Sequence, residues 1–499
     1  MTNSLKYFQE ECIKNFIKSE ENFLMDPTKL AEFVLGVTDE LHKFGLKIIQ
    51  ECLEDIDQMI RDSVKRKIHW YIDRKEKKTL ITSLGTVTYT KTLFKNKETG
   101  ERVYLLDRVM GFEDHKRMSE DAEARLLAEA VQTSYRRGGE SASIGDNVSK
   151  QTVKERIHSL EFPKDEKKPD KKKEVEYLYI EADEDHIAKQ FNEKKGDLET
   201  NENGYKNNCM IGKLVVVHEG IKPERISIDE NGEKKSSKRH KLISPHYFTR
   251  VCNGKENEVF WDEIYAWICR NYDITKIKKI YLNADGGSWI QTAKTRIAGL
   301  SYVLDEFHLQ KYLMKLTSHM KDSTDDARRE IISALKNNDK EEFKKICERL
   351  KGCLETEIGE KRINESSGYI LNNWDAARVR INREKGIVGS STEGQVYHVV
   401  SERMSTRPMG WSTIGGSKMI ELRAYYLNGG DMLELVRYQK KEMPKVVGLE
   451  EDILTSAEIM KSEKNKNGKI GKYFESMSHT TLSEIQKKTW YKATIGELF

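Results

Sequence analysis

The stretch Ile280-Tyr281-Leu282-Asn283-Ala284-Asp285-Gly286-Gly287 constrains this chain more than any other. Its apolar beginning fits a strand buried on both faces. It ends on an acid followed by two glycines. An acid at the C-terminal end of a buried strand sits where open α/β sheets place ligands. The glycines allow a tight turn and let something large approach the carboxylate. Asp-Gly is also an ordinary turn, so this stretch alone leaves both readings open.

A second stretch has the same plan. Glu176-Tyr177-Leu178-Tyr179-Ile180-Glu181-Ala182 runs into Asp183-Glu184-Asp185-His186. Acids packed this closely repel one another unless cations neutralise them. Oxygen ligands without a cysteine pair suit magnesium or manganese rather than zinc. A third acid, Glu393, lies in Gly389-Ser390-Ser391-Thr392-Glu393-Gly394-Gln395. Ser390 and Glu393 also have the spacing of a capping box, in which the glutamate serves only the backbone. Two strand-end aspartates with a distant glutamate at a helix start form the layout of ribonuclease-H-like two-metal sites. Asp185 is close enough in sequence to substitute for Asp183.

With these residues in hand, the chain resembles the DDE transposases of bacterial insertion sequences. It is most similar to the ISLre-two group, long carried as an uncharacterised protein family. The resemblance rests on Ile180 to His186, Asn283 to Gly287 and Asp305-Glu306-Phe307-His308. It rests also on Ser391-Thr392-Glu393-Gly394, Arg403-Met404-Ser405, Arg407-Pro408 and Gly410-Trp411-Ser412. It implies an α/β fold (α+β overall). In that fold a ribonuclease-H-like catalytic domain with a helical insertion follows a mainly helical N-terminal region. That region carries a small β-hairpin or sheet and a helix-turn-helix. Asp183, Asp285 and Glu393 would hold two Mg2+ or Mn2+ ions, with Asp183 bridging both. Asp185, Asp305 and His308 would be accessory. The partners implied are double-stranded DNA, as element terminal repeats and target, and a second copy of the chain on that DNA. The location implied is the bacterial cytoplasm, at the nucleoid. A structure-specific nuclease without strand transfer is the alternative enzyme. A non-catalytic helix-turn-helix DNA-binding protein is the alternative from another class.

The 499 residues are too many for one ordinary core. The divisions expected are an N-terminal helical region (1–75), a β element plus DNA-binding region (76–160) and a charged linker (161–176). The catalytic domain follows (177–320 and 389–440), with a helical insertion at 321–388 and a lysine-rich C-terminal region at 441–499. The linker holds two prolines, six lysines and six acids and cannot bury a core. The net charge of +4 is too small to indicate nucleic acid by itself, so local clusters must make that case. No apolar run reaches the roughly 18–20 residues needed to span a bilayer. Met1 to Asn15 has no apolar core of a secretory signal. The seven scattered cysteines, with no Cys-x-x-Cys, read as reduced cytosolic thiols.

Along the chain, Asp26-Pro27 opens a long helix. Its Leu30, Val34, Val37, Leu41, Phe44 and Ile48 form a short seam that serves either its own domain or a dimer contact. Leu80 to Phe94 and Arg102 to Val109 read as strands joined around Glu98 to Glu101. Ser119 to Tyr135 reads as a helix followed by a glycine turn at Arg136 to Gly139. Ser149 caps a helix whose outward Lys150, Gln151, Lys154 and Arg156 resemble a recognition helix. Lys234, Lys235, Lys238 and Arg239 cluster after an Asn231-Gly232 hairpin turn, a phosphate-contact candidate or a solvated loop. Asp305 with His308 touches a metal or phosphate, or is a helix N-cap with a structural histidine. Trp374 stacks on a base or belongs to the core. Arg403, Arg407 and Trp411, with Lys418 and Arg423, interleave basic and aromatic residues as a DNA-end surface does.

Overall fold

The computed structural model describes residues 2–113, 115–164, 169–191, 208–228, 234–236, 239–354, 356–407 and 409–440. The chain divides into two units. One takes in Met1–Leu126, Glu140–Val148 and, of the described residues beyond them, Lys440. The other takes in Leu127–Gly139 and Ser149–Gln439.

In the first unit, Asp26 accepts a hydrogen bond from the Thr28 N–H and starts the long helix α1 (Leu30–Asp62) after one 3-10 turn. The preceding helix (Ile13–Met25) folds back on α1, with Phe23 stacked on Phe33. The seam splits into two parts. Leu30, Val34 and Leu41 stay more than half exposed, whereas Leu53 and Ile60 further along α1 enter the unit's own core. That core lies under an antiparallel sheet of β1 (Trp70–Thr82), β2 (Gly85–Asn96) and β3 (Arg102–Val103). Two expectations are corrected here. The hairpin turns at Ser83-Leu84, inside the stretch read as one strand, because Gly85 takes φ +146 and closes a two-residue loop. Leu105–Val109 is a helix, not a strand, with Leu105 and Leu106 fully buried.

Past the hairpin, Ala122, Leu126, Leu127 and Ala130 are buried on one side of the helix Glu120–Ala130, as their spacing predicts. The expected glycine turn is absent: Tyr135–Ser141 is helical through Gly138 and Gly139, both buried. Ser149 caps α2 (Lys150–His158) by accepting from the Thr152 N–H at 3.2 Å. Eight residues separate this helix from the one before. A helix-turn-helix uses three or four, so that motif is not formed here. Instead Val153 and Ile157 of α2 are buried, and α2 packs on a later helix of its own unit, Thr413–Leu427. A methyl group on that helix's Gly415 would fall 2.6 Å from His158 Nε2, so only glycine lets the two approach this closely.

The second unit is built on a mixed five-stranded sheet. Its strands are β4 (Tyr177–Ala188), β5 (Cys209–His218), β6 (His246–Arg250), β7 (Lys279–Ala284) and β8 (Leu300–Leu304), in spatial order β6-β5-β4-β7-β8. β6, β5 and β4 are antiparallel neighbours, while β4, β7 and β8 run parallel. Alternation sends Leu178, Ile180 and Ala182 into a core with Trp261, Ile264 and Ile268 of helix α3 (Glu256–Asn271). Tyr179, Tyr281 and Val303 face the other way. There the Tyr179 and Tyr281 hydroxyls donate to the Gly386 and Lys385 carbonyls at 2.5 and 2.7 Å. β8 leads into α4 (Glu306–Thr317). Three helices follow (Thr324–Lys336, Lys340–Lys351, Glu357–Asn372), then α5 (Trp374–Asn382), so the stretch expected to be helical is so. Trp374 is core, 2% exposed, with its indole N–H on Asn338. α6 (Thr392–Val396) and α7 (Thr413–Leu427) follow, and a short helix, Met432–Tyr438, ends the unit. Ile226–Ile228 and Lys234–Ser236 pair as an antiparallel hairpin, while Asn231 and Gly232 lie outside the described residues. No described helix is long and apolar enough to cross a membrane.

Candidate functional site

Strand register builds the site. Ala182 of β4 is level with Ala284 of β7, and Ala284 is level with Leu304 of β8. The next residue on each strand is an aspartate: Asp183, Asp285 and Asp305. Neighbouring strands lie about 4.8 Å apart, so the three aspartates form a row across the C-terminal edge of the parallel half. β4 does not end at Asp183, as its run of acids suggested. It loses β7 there but stays paired with β5 as far as Ala188. That pairing keeps Asp183-Glu184-Asp185-His186 extended and sends alternate side chains to opposite faces, which relieves their repulsion.

The three aspartates differ in environment. Burial, reinforced by the negative charge of Asp285, pushes Asp183 up to about 7, although the Glu184 N–H donates to it at 2.8 Å. Asp285 accepts from the Gly287 N–H at 3.0 Å, and the Tyr369 hydroxyl holds its backbone carbonyl. Between them Gly286 has φ +102, and a methyl there would fall 2.7 Å from Asn373 Oδ1. No L side chain fits that turn. Asp305 caps α4, accepting from the Phe307 and His308 N–H groups at 2.9 and 3.3 Å. Burial alone would raise its pKa, but the bonds from His308 and from the Ser390 hydroxyl outweigh it and hold the carboxyl below its ordinary range. The His308 imidazole, with Nδ1 3.5 Å from Asp305 Oδ2, is pushed up by that partner, against burial, with help from the charges of Asp285 and Asp183. The helix-cap reading of Asp305 and His308 therefore holds, and the same cap stands in the row.

A polar layer at Glu181 and Asn283, two residues back, keeps the row in place. Arg380 of α5 is buried and donates to the Leu304 carbonyl (3.0 Å), the Val388 carbonyl (3.0 Å) and Asn283 Oδ1 (2.5 Å). Glu181 accepts from the Ser391 N–H at 3.0 Å and its hydroxyl at 3.1 Å. The strands β4, β7 and β8 are thus all tied to the segment 388–391. Arg380 does not stand out in the sequence as a member of the site. Asn283, Ser390 and Ser391 stand out only as neighbours of the acids, since their bonds to Arg380, Asp305 and Glu181 are made only through the fold.

Glu393 is placed differently. It is exposed on the five-residue α6. The capping box that competed with the metal reading is not formed: the N-cap is Ser391, without a side-chain cap bond, and the Ser390 hydroxyl is spent on Asp305. Among the described residues no three His, Cys, Asp or Glu side chains gather as a metal cage. Asp183 and Asp285 are brought together, and Glu393 is not drawn in with them. The donor set still suits a hard cation. It consists of oxygens, burial and then the charge of Asp285 raise Asp183, and Mg2+ is commonly held by one or two carboxylates completed by substrate phosphate. Asp185 is engaged by the Ser405 hydroxyl at 2.6 Å.

The expected DNA-binding residues separate into three groups. Lys150 and Gln151 are exposed on α2, with Gln151 Nε2 donating to Glu155 at 2.9 Å, and Lys154 and Arg156 are partly buried. Arg403 and Trp411 do not form an exposed surface, being 5% and 7% exposed. The Arg403 guanidinium lies 4.9 Å from the Trp411 ring centre and donates to the Ala130 carbonyl. Arg423 is likewise buried, holding the Val399 and His398 carbonyls, whereas Arg407 is exposed. Arg239 is exposed; Lys238 and the side chains of Lys234 and Lys235 lie outside the described residues.

The comparisons with known proteins bear on what this arrangement serves. An uncharacterised protein family (UPF0236) matches residues 24–442. A UPF0236 protein of Caldanaerobacter subterraneus subsp. tengcongensis is 33% identical over 87% of this chain and 85% of its own length. Another from that organism, whose name joins eleven locus designations, is 33% identical over 85% of this chain and 83% of its own. The UPF0236 protein in the vanSb 3′ region of Streptococcus gallolyticus is 25% identical over 76% of this chain and 79% of its own. Among solved structures, the Drosophila P element transposase strand transfer complex covers 78% of this chain and 90% of its own. The identity there is 11% and the TM-score 0.23, too small a likeness to carry an argument.

Proposed function

The chain belongs to the uncharacterised protein family UPF0236, and from that premise we propose that it is a DNA transposase of an insertion sequence, of the ISLre-two kind. In this reading the five-stranded unit is a ribonuclease-H-like catalytic domain. The observation that carries it is the aspartate pair, Asp183 and Asp285, set level on adjacent parallel strands. A relative whose single name joins eleven loci of one genome supports it, since a self-copying element leaves that trace.

Asp183 and Asp285 would hold Mg2+ or Mn2+, which when bound supplies activation of a water or 3′-hydroxyl and stabilisation of the leaving oxygen in phosphoryl transfer. Glu393 is the proposed third carboxylate, and α6 would have to turn it inward when DNA binds. The chain's own residues do the rest. Arg380 and Glu181 hold the strand ends against 388–391, which keeps the two carboxylates level. His308, with Nδ1 toward Asp305, keeps a proton beside the row, and in its charged form leaves Nε2–H for a phosphate oxygen. Strand transfer, a dimer on DNA and a place at the nucleoid belong to the same proposal.

The test uses a supercoiled plasmid carrying the DNA that flanks the gene. With magnesium the purified chain should cut at the element ends and join them to target DNA, and Asp285→Asn should bind the ends without cutting. Cutting by the pure Asp285→Asn protein would remove the catalytic assignment. Cutting without joining would leave a nuclease.

A further inference from the structure

α2 does not have the surroundings of a groove-reading helix. A helix that reads bases must stand proud enough to enter a major groove about 12 Å wide. Here Lys150 and Lys154 line a concave cleft of about 380 Å³, within their own unit. Its wall is apolar and aromatic: Tyr135, Met409 and Trp411, with the two rings edge to face at 6.0 Å. Arg136 joins the two lysines around it. Among the described residues none of these three cations has an ion-pair partner, and no carboxylate lines the cleft. Arg403 sits against the wall, where burial weakens its hold on its proton and the nearby cations Arg423 and Arg407 add to the effect. Unpaired like charges around an apolar hollow suit an anion with a flat apolar body. The volume falls in the range of small-ligand sites.

The cleft is also tied to the strand that carries Asp183. The Trp411 N–H donates to the Ala188 carbonyl, and the Gln190 N–H to the Trp411 carbonyl, so Trp411 continues β4 at its far end. Ala188 is five residues beyond Asp183, about 17 Å along an extended strand. That is about five base-pair steps of DNA.

We propose that this cleft receives a single nucleotide turned out of the duplex, its base on the wall of Tyr135, Met409 and Trp411 and its flanking phosphates on Arg136, Lys150 and Lys154. The assignment rests on the DNA reading above and replaces groove reading by α2 with capture of one unpaired nucleotide. Such capture requires the nucleotide to be unpaired, a cost already met where the DNA carries an unpaired base.

The experiment compares the full chain's affinity, by fluorescence anisotropy in EDTA, for a random-sequence duplex with and without one unpaired thymidine at its centre. The unpaired thymidine should tighten binding about tenfold or more. The Lys150→Ala/Lys154→Ala variant should lose that preference and keep its hold on the plain duplex. Its salt slope on the bulged duplex should fall by about 2. Lys150 is exposed and Lys154 partly buried, so circular dichroism checks that the double variant keeps the parent fold. Equal affinity for the two duplexes, a preference that survives in the double variant, or no binding of either duplex overturns the cleft assignment. Preference without cleavage of element ends supports the cleft and removes the transposase. Cleavage without preference does the reverse.

Discussion

Asp183 and Asp285 are separated in sequence about as widely as Asp285 and Glu393, yet the fold treats the two separations differently. The first is closed by backbone pairing. Once β4 and β7 lie parallel with Ala182 level with Ala284, the two carboxylates are neighbours whatever else happens. The second is closed by a chain of helices and a loop tied down at Ser390 and Ser391, and Glu393 lies just beyond the last tie, exposed. A strand register places a side chain rigidly. A short helix after a tethered loop places it conditionally. The account therefore predicts that the aspartates are a built site and Glu393 a recruited one, and each of the following experiments strains that contrast.

The largest effect expected is on cleavage. Asp183→Asn should lower magnesium-dependent cutting by on the order of 10³-fold or more, as removal of one member of a catalytic unit does. Asp185→Asn should act mainly through its bond to Ser405 and leave most of the rate. Loss with Asp185→Asn alone would show that the register argument picked the wrong acid. Glu393→Gln should also lose cleavage on DNA, while its melting temperature without DNA stays that of the parent. A destabilised Glu393→Gln protein would contradict the exposed placement.

Next comes stability of the layer behind the row. Arg380→Met leaves the Leu304 and Val388 carbonyls and Asn283 without their donor, and chemical denaturation should show a loss on the order of 3 kcal/mol. Gly286→Ala must force a side chain into φ +102 against Asn373, with about 1–3 kcal/mol of strain. A neutral Gly286→Ala would mean that the turn beside Asp285 is looser than described.

The pH dependence carries an unusual sign. Asp183 is raised, to about 7, above an unfolded value near 4. The folded state therefore binds the proton first, and metal-free stability should grow as pH falls from about 8 toward about 5, opposite to a salt-bridged aspartate. Asp183→Asn, without metal at pH 8, should then be more stable than the parent by on the order of 1–2 kcal/mol. A less stable Asp183→Asn protein would overturn that environment. The smallest change expected is with Ser390→Ala, which removes one hydroxyl bond to Asp305 and should cost about 1 kcal/mol.

The same contrast explains how far the sequence could be read. The run Ile280 to Ala284 is legible because its residues are apolar or aromatic except Asn283. The row Asp183-Asp285-Asp305 is half legible: each aspartate ends an apolar run, but their being level depends on pairing partners. β4 beyond Asp183 was hidden because acids do not look like strand, and only β5 keeps them extended. The turn at Ser83-Leu84 was hidden because Leu84 is not a common turn former and apolar residues flank the pair on both sides. Arg403, Arg423 and Trp411 looked like a nucleic-acid surface because composition cannot distinguish an exposed cation from one buried on carbonyls. Arg380 was invisible as a site residue, since its partners lie on β7, β8 and a distant loop.

The most direct test of the central claim needs no DNA. Binding of Mn2+ to the purified chain is followed by electron paramagnetic resonance at neutral pH, for the parent, Asp183→Asn/Asp285→Asn and Glu393→Gln. The account predicts binding by the parent, its loss in the double aspartate variant and near-parental binding in Glu393→Gln. Undiminished binding in the double aspartate variant would contradict the claim that the paired strand ends are the metal-holding part of this protein.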